Sequence, residues 1–124
     1  MKIMLLASVL VVAPQSAFAQ SMNAEQFYER ATALQKKGVM ALFSSDVKLL
    51  TNEGKAAGEA ARRQRLAAVA AGHKPRYCPP ADVHGMDSNE YLKRLSAIPA
   101  GERARIDLRE ATNRILAAKY PCSG

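Results

Sequence analysis

The chain has no tryptophan, only 6% aromatic residues, two cysteines and two histidines among its 124 residues. Neither histidine, His73 or His84, belongs to a cluster with the ligand spacing of a zinc site. The cysteines, Cys78 and Cys122, are too far apart for a Cys-x-x-Cys redox pair. A phosphate-binding loop, a haem-attachment motif and a Gly-x-Ser-x-Gly elbow are also missing. We therefore predict no catalytic residue, no metal and no cofactor, and a protein that acts by binding.

The first nineteen residues have the form of a secretory signal peptide. Lys2 gives a positive start, residues 3–13 are an apolar run, and Ala17-Phe18-Ala19 is a small-x-small cleavage site. The run is shorter than the ~20 residues that span a bilayer. We expect cleavage after Ala19 and a single mature domain, residues 20–124, in the periplasm and without a transmembrane segment. A membrane anchor or a buried helix is the alternative.

Hydrophobic residues make up 48% of the chain, and alanine supplies many of them. This composition argues against wholesale disorder and favours a helical domain. The formal net charge is +7, and removal of Lys2 leaves +6 because all eleven acidic residues lie in the mature chain. The basic balance suggests anionic partners, although secretion argues against nucleic acid. An ordinary solvated basic surface is the simpler interpretation.

Polar capping residues predict an all-α domain of four to five helices, stapled by one disulfide. The predicted N-caps are at Asn23, at Ser44 to Asp46, at Asp87 and at Asp107, with a further helical turn near 100–105. The predicted stops are Gly38, Gly72 and Pro99. In the last helix, a stripe predicts which side chains face the core and leads to the terminal cysteine: Leu108, Ala111, Ile115, Ala118 and Cys122.

The second predicted helix, residues 46–71, contains two glycines four residues apart. Each costs a helix roughly 1 kcal/mol against alanine. Gly54 and Gly58 either let another helix approach closely, which we favour, or mark a kink or break. The same helix carries the densest positive cluster of the chain: Arg62, Arg63 and Arg65. This arginine cluster is either a solvated face, the simpler interpretation, or an anion-binding patch.

Both cysteines lie where a proline stops regular structure, in Tyr77-Cys78-Pro79-Pro80 and in Lys119-Tyr120-Pro121-Cys122. Disulfides persist in the periplasm and outside the cell. We predict a Cys78–Cys122 bond that ties the loop after the second helix to the end of the last helix. Two disfavoured alternatives use the histidines: a nucleophilic pair of Cys78 with His84, and a weak metal site of His73 with His84.

The segment 79–87 is rich in proline and turns, and the predicted disulfide anchors its beginning. A segment that is rigid before binding loses little entropy on binding, which suits the recognition of a partner. Its candidate partner-binding residues are Asp82, Val83, His84 and Met86. Alternatively, Val83 and Met86 fold back onto the core and the segment is only a connector. In that case the arginine cluster is the next candidate surface.

The Tyr-Cys-Pro-Pro turn and the closing Lys-Tyr-Pro-Cys, in a small secreted helical domain, resemble the Rap/Tai-type immunity proteins of type VI secretion systems. The resemblance is best from Tyr77 to Cys122, and it matches Cys78 and Cys122 to the C-terminal cysteine pair of that family. The chain departs from the family by lacking the additional cysteines that many members carry in the N-terminal half. The resemblance implies a non-enzymatic periplasmic inhibitor of a peptidoglycan-cleaving amidase effector. The alternative is a general envelope module whose basic surface binds anionic lipid, lipopolysaccharide or an acidic envelope protein.

Overall fold

A computed structural model describes residues 21–83 and 85–123. The predicted signal peptide and His84 lie outside the described residues. The described chain is all-α, as predicted, with one isolated backbone bridge and no β-strand. Its helices are α1 (Ala24–Lys37), α2 (Ser45–Ala70), α3 (Ser88–Ser96), α4 (Ala100–Arg103) and α5 (Leu108–Lys119). None of these helices is long and apolar enough to cross a membrane.

The predicted N-caps are confirmed in the structure. Asn23 accepts hydrogen bonds from the backbone N–H groups of Glu25 and Gln26. Ser44, Asp87 and Asp107 likewise accept backbone N–H groups at the starts of α2, α3 and α5. Each cap satisfies a donor that a helix N-terminus leaves unpaired, which explains why the helices begin at these positions.

Glu90 and Glu110 lie three residues after the caps Asp87 and Asp107, where a capping-box carboxylate would bond back to the cap, but both bind cations instead. Glu90 pairs with Arg94 and Lys119, and Glu110 pairs with Arg76 and Arg114. The caps therefore stabilise their helices by the side chain of the cap residue alone. The glutamates instead join α3 and the segment before Cys78 to α5.

The core lies where α1, α2, α3 and α5 meet. Its buried side chains are Phe27, Leu50, Leu95, Leu108 and Ile115, with Ala24, Ala31, Ala57 and Ala111 between them. The starts of α1 and α5 lie side by side, because Ala24 donates its N–H to the Ile106 carbonyl and Leu108 donates its N–H to the Met22 carbonyl. This backbone pairing brings the first and last helices together at one end of the domain.

The stripe predicted along α5 is correct for Leu108, Ala111 and Ile115, which are buried, and wrong for Ala118, which is exposed. The helix ends at Lys119, and the backbone at Tyr120 leaves the helical conformation. The last cysteine therefore reaches its partner through a non-helical tail and not along the core face of the helix.

α2 is continuous over 26 residues, so the helix is not broken at Gly54 or Gly58. The 3-10 helix Gly38–Phe43, called the apolar connector below, joins it to α1. Arg30 of α1 binds Asp46 of α2 through two hydrogen bonds of 3.2 and 2.8 Å. Bidentate arginine pairs of this kind fix geometry as well as charge. This pair therefore joins α1 to the start of α2, the two helices that the apolar connector links.

Candidate binding groove and apolar connector

A groove of about 940 Å³ lies between α1, α2, α3, α5 and the segment that follows Tyr77. Apolar side chains from all of these elements form most of its lining. They include Phe27, Leu34, Leu50, Met86, Leu92 and Ile115. A concave, mainly apolar space of this size, with a few polar groups, is typical of sites for small ligands.

Gly54 and Gly58 form part of the groove wall on α2. A Cβ atom placed at either glycine would meet nothing within 4 Å. The prediction that these glycines allow another helix to approach closely is therefore wrong for the described chain. Their effect is to keep the wall of α2 free of side chains where it faces the groove.

The charged side chains that line the groove are all positive. Lys55, Arg62 and Arg65 reach it from α2, and no aspartate or glutamate lines it. Arg65 stacks over the ring of Tyr77, with its guanidinium carbon 5.4 Å from the ring centroid. Its Nε atom is buried and has no hydrogen-bond partner among the described residues. The groove thus combines a largely apolar lining with one cationic wall.

A neutral polar pair lies in the part of the groove opposite α2. The hydroxyl groups of Tyr91 and Thr112 are 2.7 Å apart and share a hydrogen bond. Burial raises the pKa of Tyr91 to about 12, against a smaller lowering by the bond to Thr112. Phe27 packs its ring edge against Tyr91, with centroids 5.9 Å apart. Tyr91 therefore remains neutral at physiological pH and adds no negative charge to the groove.

The predicted arginine cluster is divided between two surfaces. Arg62 and Arg65 line the groove, whereas the exposed Arg63 does not. Consecutive residues on a helix point in different directions, which is why a run in sequence does not form one patch. The cluster is therefore not a single flat basic face.

The segment 79–87 forms another wall of the groove. Val83 and Met86 line it, and Met86 also packs against the core. Val83 stays 42% exposed, and Asp82 is exposed without lining the groove. The structure thus brings Val83 and Met86 to the same groove as Arg62 and Arg65. His84 lies outside the described residues.

The predicted Cys78–Cys122 disulfide is present, with the two Cα atoms 4.9 Å apart. The backbone N–H of Cys78 donates to the Tyr120 carbonyl at 2.8 Å, and Tyr77 is buried beside it. No cysteine in the described chain is free. Cys78 is therefore not available as the thiolate of a nucleophilic pair, and the disulfide holds the beginning of the segment 79–87 against the end of α5.

Two ion pairs reinforce this end of the domain. Arg76 binds Glu110 through both carboxylate oxygens, at 2.5 and 2.9 Å, and this hydrogen bonding lowers the pKa of Glu110. Lys119 binds Glu90 at 2.7 and 2.8 Å, and this bond, followed by that from Arg94, lowers the pKa of Glu90. Both carboxylates are thus held in their charged form close to the disulfide.

The apolar connector is the feature that the sequence interpretation missed. Four of its large side chains, Val39, Met40, Leu42 and Phe43, are between 63% and 83% exposed. Exposed lysines flank it on both sides: Lys36, Lys37 and Lys48. The available signal was the unbroken apolar run 39–43 in a link between two helices, where polar residues are expected.

Within the described residues, no three His, Cys, Asp or Glu side chains group as a metal site. Comparison with protein-family models, curated proteins and solved structures found no match to this chain. The resemblance to Rap/Tai-type immunity proteins therefore stays a prediction.

Proposed function

We propose that this protein is a non-enzymatic periplasmic binding protein that inhibits a secreted peptidoglycan amidase, as the resemblance to Rap/Tai-type immunity proteins implies. The observation that supports the proposal best is the apolar connector. Contiguous exposed apolar surface with a polar rim is typical of sites where proteins bind one another. Methionine and aromatic residues, here Met40 and Phe43, are enriched in such interfaces.

An inhibitor of a cleft enzyme needs an element that is ordered before it binds, because ordering a loose loop would consume much of the contact energy. The apolar connector meets this requirement. The Arg30–Asp46 pair joins the two helices that flank it, and the backbone N–H of Ser44 donates to the Ala41 carbonyl at 2.9 Å within it. These contacts favour residues 39–43 for the proposed contact over the segment 79–87, which forms a groove wall.

The test is protection of a bacterial cell. An amidase effector directed to the periplasm lyses the cell, and co-expression of the full chain should prevent lysis. Met40→Ser together with Phe43→Ser should abolish protection and weaken binding of the amidase by ~100-fold, since two central apolar anchors are each worth more than about 1 kcal/mol.

Leu66→Ser with Val69→Ser is the matched control, because it removes two exposed apolar side chains from the far end of α2. This variant should protect as well as the wild type. Loss of protection in both variants, or in neither, would contradict the assignment of the contact to the apolar connector. Failure of the wild-type chain to bind any cell-wall amidase would remove the inhibitor function itself.

A further inference from the structure

We propose that the groove binds an amphipathic anion, a single long alkyl chain with one carboxylate or phosphate, whose anionic group lies at Arg62 and Arg65. The alkyl chain extends along the apolar part of the groove toward Leu34 and Leu50. This inference does not rest on the inhibitor function or on the apolar connector.

The first observation is charge. Among the described residues, three cations and no aspartate or glutamate line the groove. Six cations elsewhere in the described chain are paired with acidic side chains, whereas others, such as Arg63, are not; the paired ones are Arg30, Arg76, Arg94, Arg103, Arg114 and Lys119. Lys55 and Arg62 form no such pair among the described residues. An anion in the groove therefore meets positive side chains whose charge is not already neutralised.

The second observation is the buried Nε atom of Arg65. It is the one buried side-chain polar atom in the described chain that lacks a hydrogen-bond partner. A buried donor without an acceptor is unfavourable, and bonds from arginine to an anionic oxygen are among the stronger hydrogen bonds in proteins. A carboxylate or phosphate oxygen against the Arg65 guanidinium would supply an acceptor at this end of the groove.

The third observation is shape. Along α2, Val47 and Leu50 line one end of the groove and Arg62 and Arg65 line the other. Val47 and Arg62 are fifteen residues apart, about 23 Å along a helix. The open glycines, Gly54 and Gly58, lie between these ends, so no side chain of theirs interrupts the path. An elongated site with one cationic end and one apolar end fits a long chain with a single anionic headgroup.

The cations also converge on a concave site. Arg63 immediately follows Arg62 but does not line the groove. A flat membrane surface would be met by all the exposed cations of this stretch, whereas a ligand inside the groove meets only Lys55, Arg62 and Arg65. This difference makes Arg63 a matched control with the same change of charge.

The test is binding of palmitate by the purified protein, expressed from the complete gene, at ligand concentrations below micelle formation. Hexadecanol is the neutral match, and a palmitoyl lysophosphatidylglycerol replaces the carboxylate by a phosphate. We expect hexadecanol to bind about tenfold or more weakly than the tighter of the two anions, the loss expected when charge-assisted hydrogen bonds are absent. The tighter anion identifies the headgroup.

Two variants place the ligand. Gly58→Leu should weaken palmitate binding about tenfold or more while the domain unfolds at the same or a higher temperature, because leucine is the better helix former and its Cβ meets no neighbour. Arg62→Gln with Arg65→Gln should remove the preference for palmitate over hexadecanol. Arg63→Gln should leave palmitate binding within roughly twofold of the wild type.

Binding of hexadecanol by the wild type as tightly as the tighter of the two anions would overturn the assignment of the anionic end. Unchanged palmitate binding by Gly58→Leu would overturn the groove as the site. Binding only to phosphatidylglycerol vesicles, weakened as much by Arg63→Gln as by the Arg62 and Arg65 changes, would mean a membrane surface and not a ligand site. Failure of all three probes to bind would also overturn the proposal.

Discussion

Arg103 is a buried charged side chain whose replacement should destabilise this domain strongly. It is only 6% exposed and its Nε atom donates to Glu25 of α1. Its Nη1 atom donates to backbone carbonyls at and just after the end of α3, those of residues 95, 96 and 98. Its guanidinium carbon lies 4.1 Å from the ring centroid of Tyr28. One arginine thus joins α1, α3 and α4.

Arg103→Met keeps much of the apolar stem and removes the charge. It leaves the Glu25 carboxylate, which is 22% exposed, without its cation, and the α3 carbonyls without their donor. Breaking a buried ion pair costs about 3–5 kcal/mol. Partial exposure of Glu25 points to the lower part of that range, and loss of the contact with Tyr28 adds about 1 kcal/mol. We expect a loss of about 3–4 kcal/mol.

The free energy of unfolding is measured with urea and the melting temperature by heating, both followed by circular dichroism at pH 7. For a domain of this size, each 1 kcal/mol shifts the melting temperature by roughly 4–8 °C, so we expect the melting temperature to fall by at least about 12 °C. Arg114→Met is the control, since its pairs with Glu102 and Glu110 are largely exposed and worth at most about 1 kcal/mol. If Arg103→Met lost no more stability than Arg114→Met, the reasoning from burial would be wrong.

Three further predictions concern stability. Cys78→Ser should cost about 4 kcal/mol in the chain-entropy model for a loop of this length, measured as free energy of unfolding against the wild type; an unchanged value would contradict it. Gly54→Ala and Gly58→Ala should each raise the free energy of unfolding by up to about 1 kcal/mol, and a fall would show that something packs against them. Hydrogen bonds from Lys119 and Arg94 lower the pKa of Glu90 from its ordinary value of 4.5, so these bonds stabilise the fold at pH values above 4.5. This contribution disappears as the pH falls through the lowered pKa that Glu90 has in the folded protein. Glu90→Gln should therefore lose less stability than the wild type between pH 6 and pH 3, and parallel curves would refute this.

The helix boundaries were predictable because they depend on local chemistry. Asn23, Asp87 and Asp107 cap the helices that follow them, and Gly38, with φ of 55°, ends α1 in a conformation that other residues rarely adopt. The Cys78–Cys122 bond was predictable from the signal-peptide-like start of the chain, which suggested export, and from the presence of only two cysteines. These features need no knowledge of how the helices pack.

The tertiary features were not predictable in the same way. Arg103 gave no sequence signal, because its carboxylate partner is 78 residues away in the chain. Gly54 and Gly58 are compatible both with a closely packed helix and with an open groove, so the sequence could not distinguish the two. The apolar run 39–43 was visible in the sequence, but its exposure was not, since an apolar run indicates burial unless the surrounding structure leaves nothing to cover it.

The two proposed binding surfaces lie on different elements and use different side chains, so their tests can be separated. The apolar connector ends at Phe43, before α2 begins, whereas Arg62 lies about 24 Å further along the helix than Asp46. Met40→Ser with Phe43→Ser should therefore abolish amidase binding and leave palmitate binding unchanged. Gly58→Leu should do the reverse. If one of these variants abolished both activities while its unfolding temperature stayed native, the partner and the alkyl anion would share a single site, and the assignment of two surfaces would be wrong.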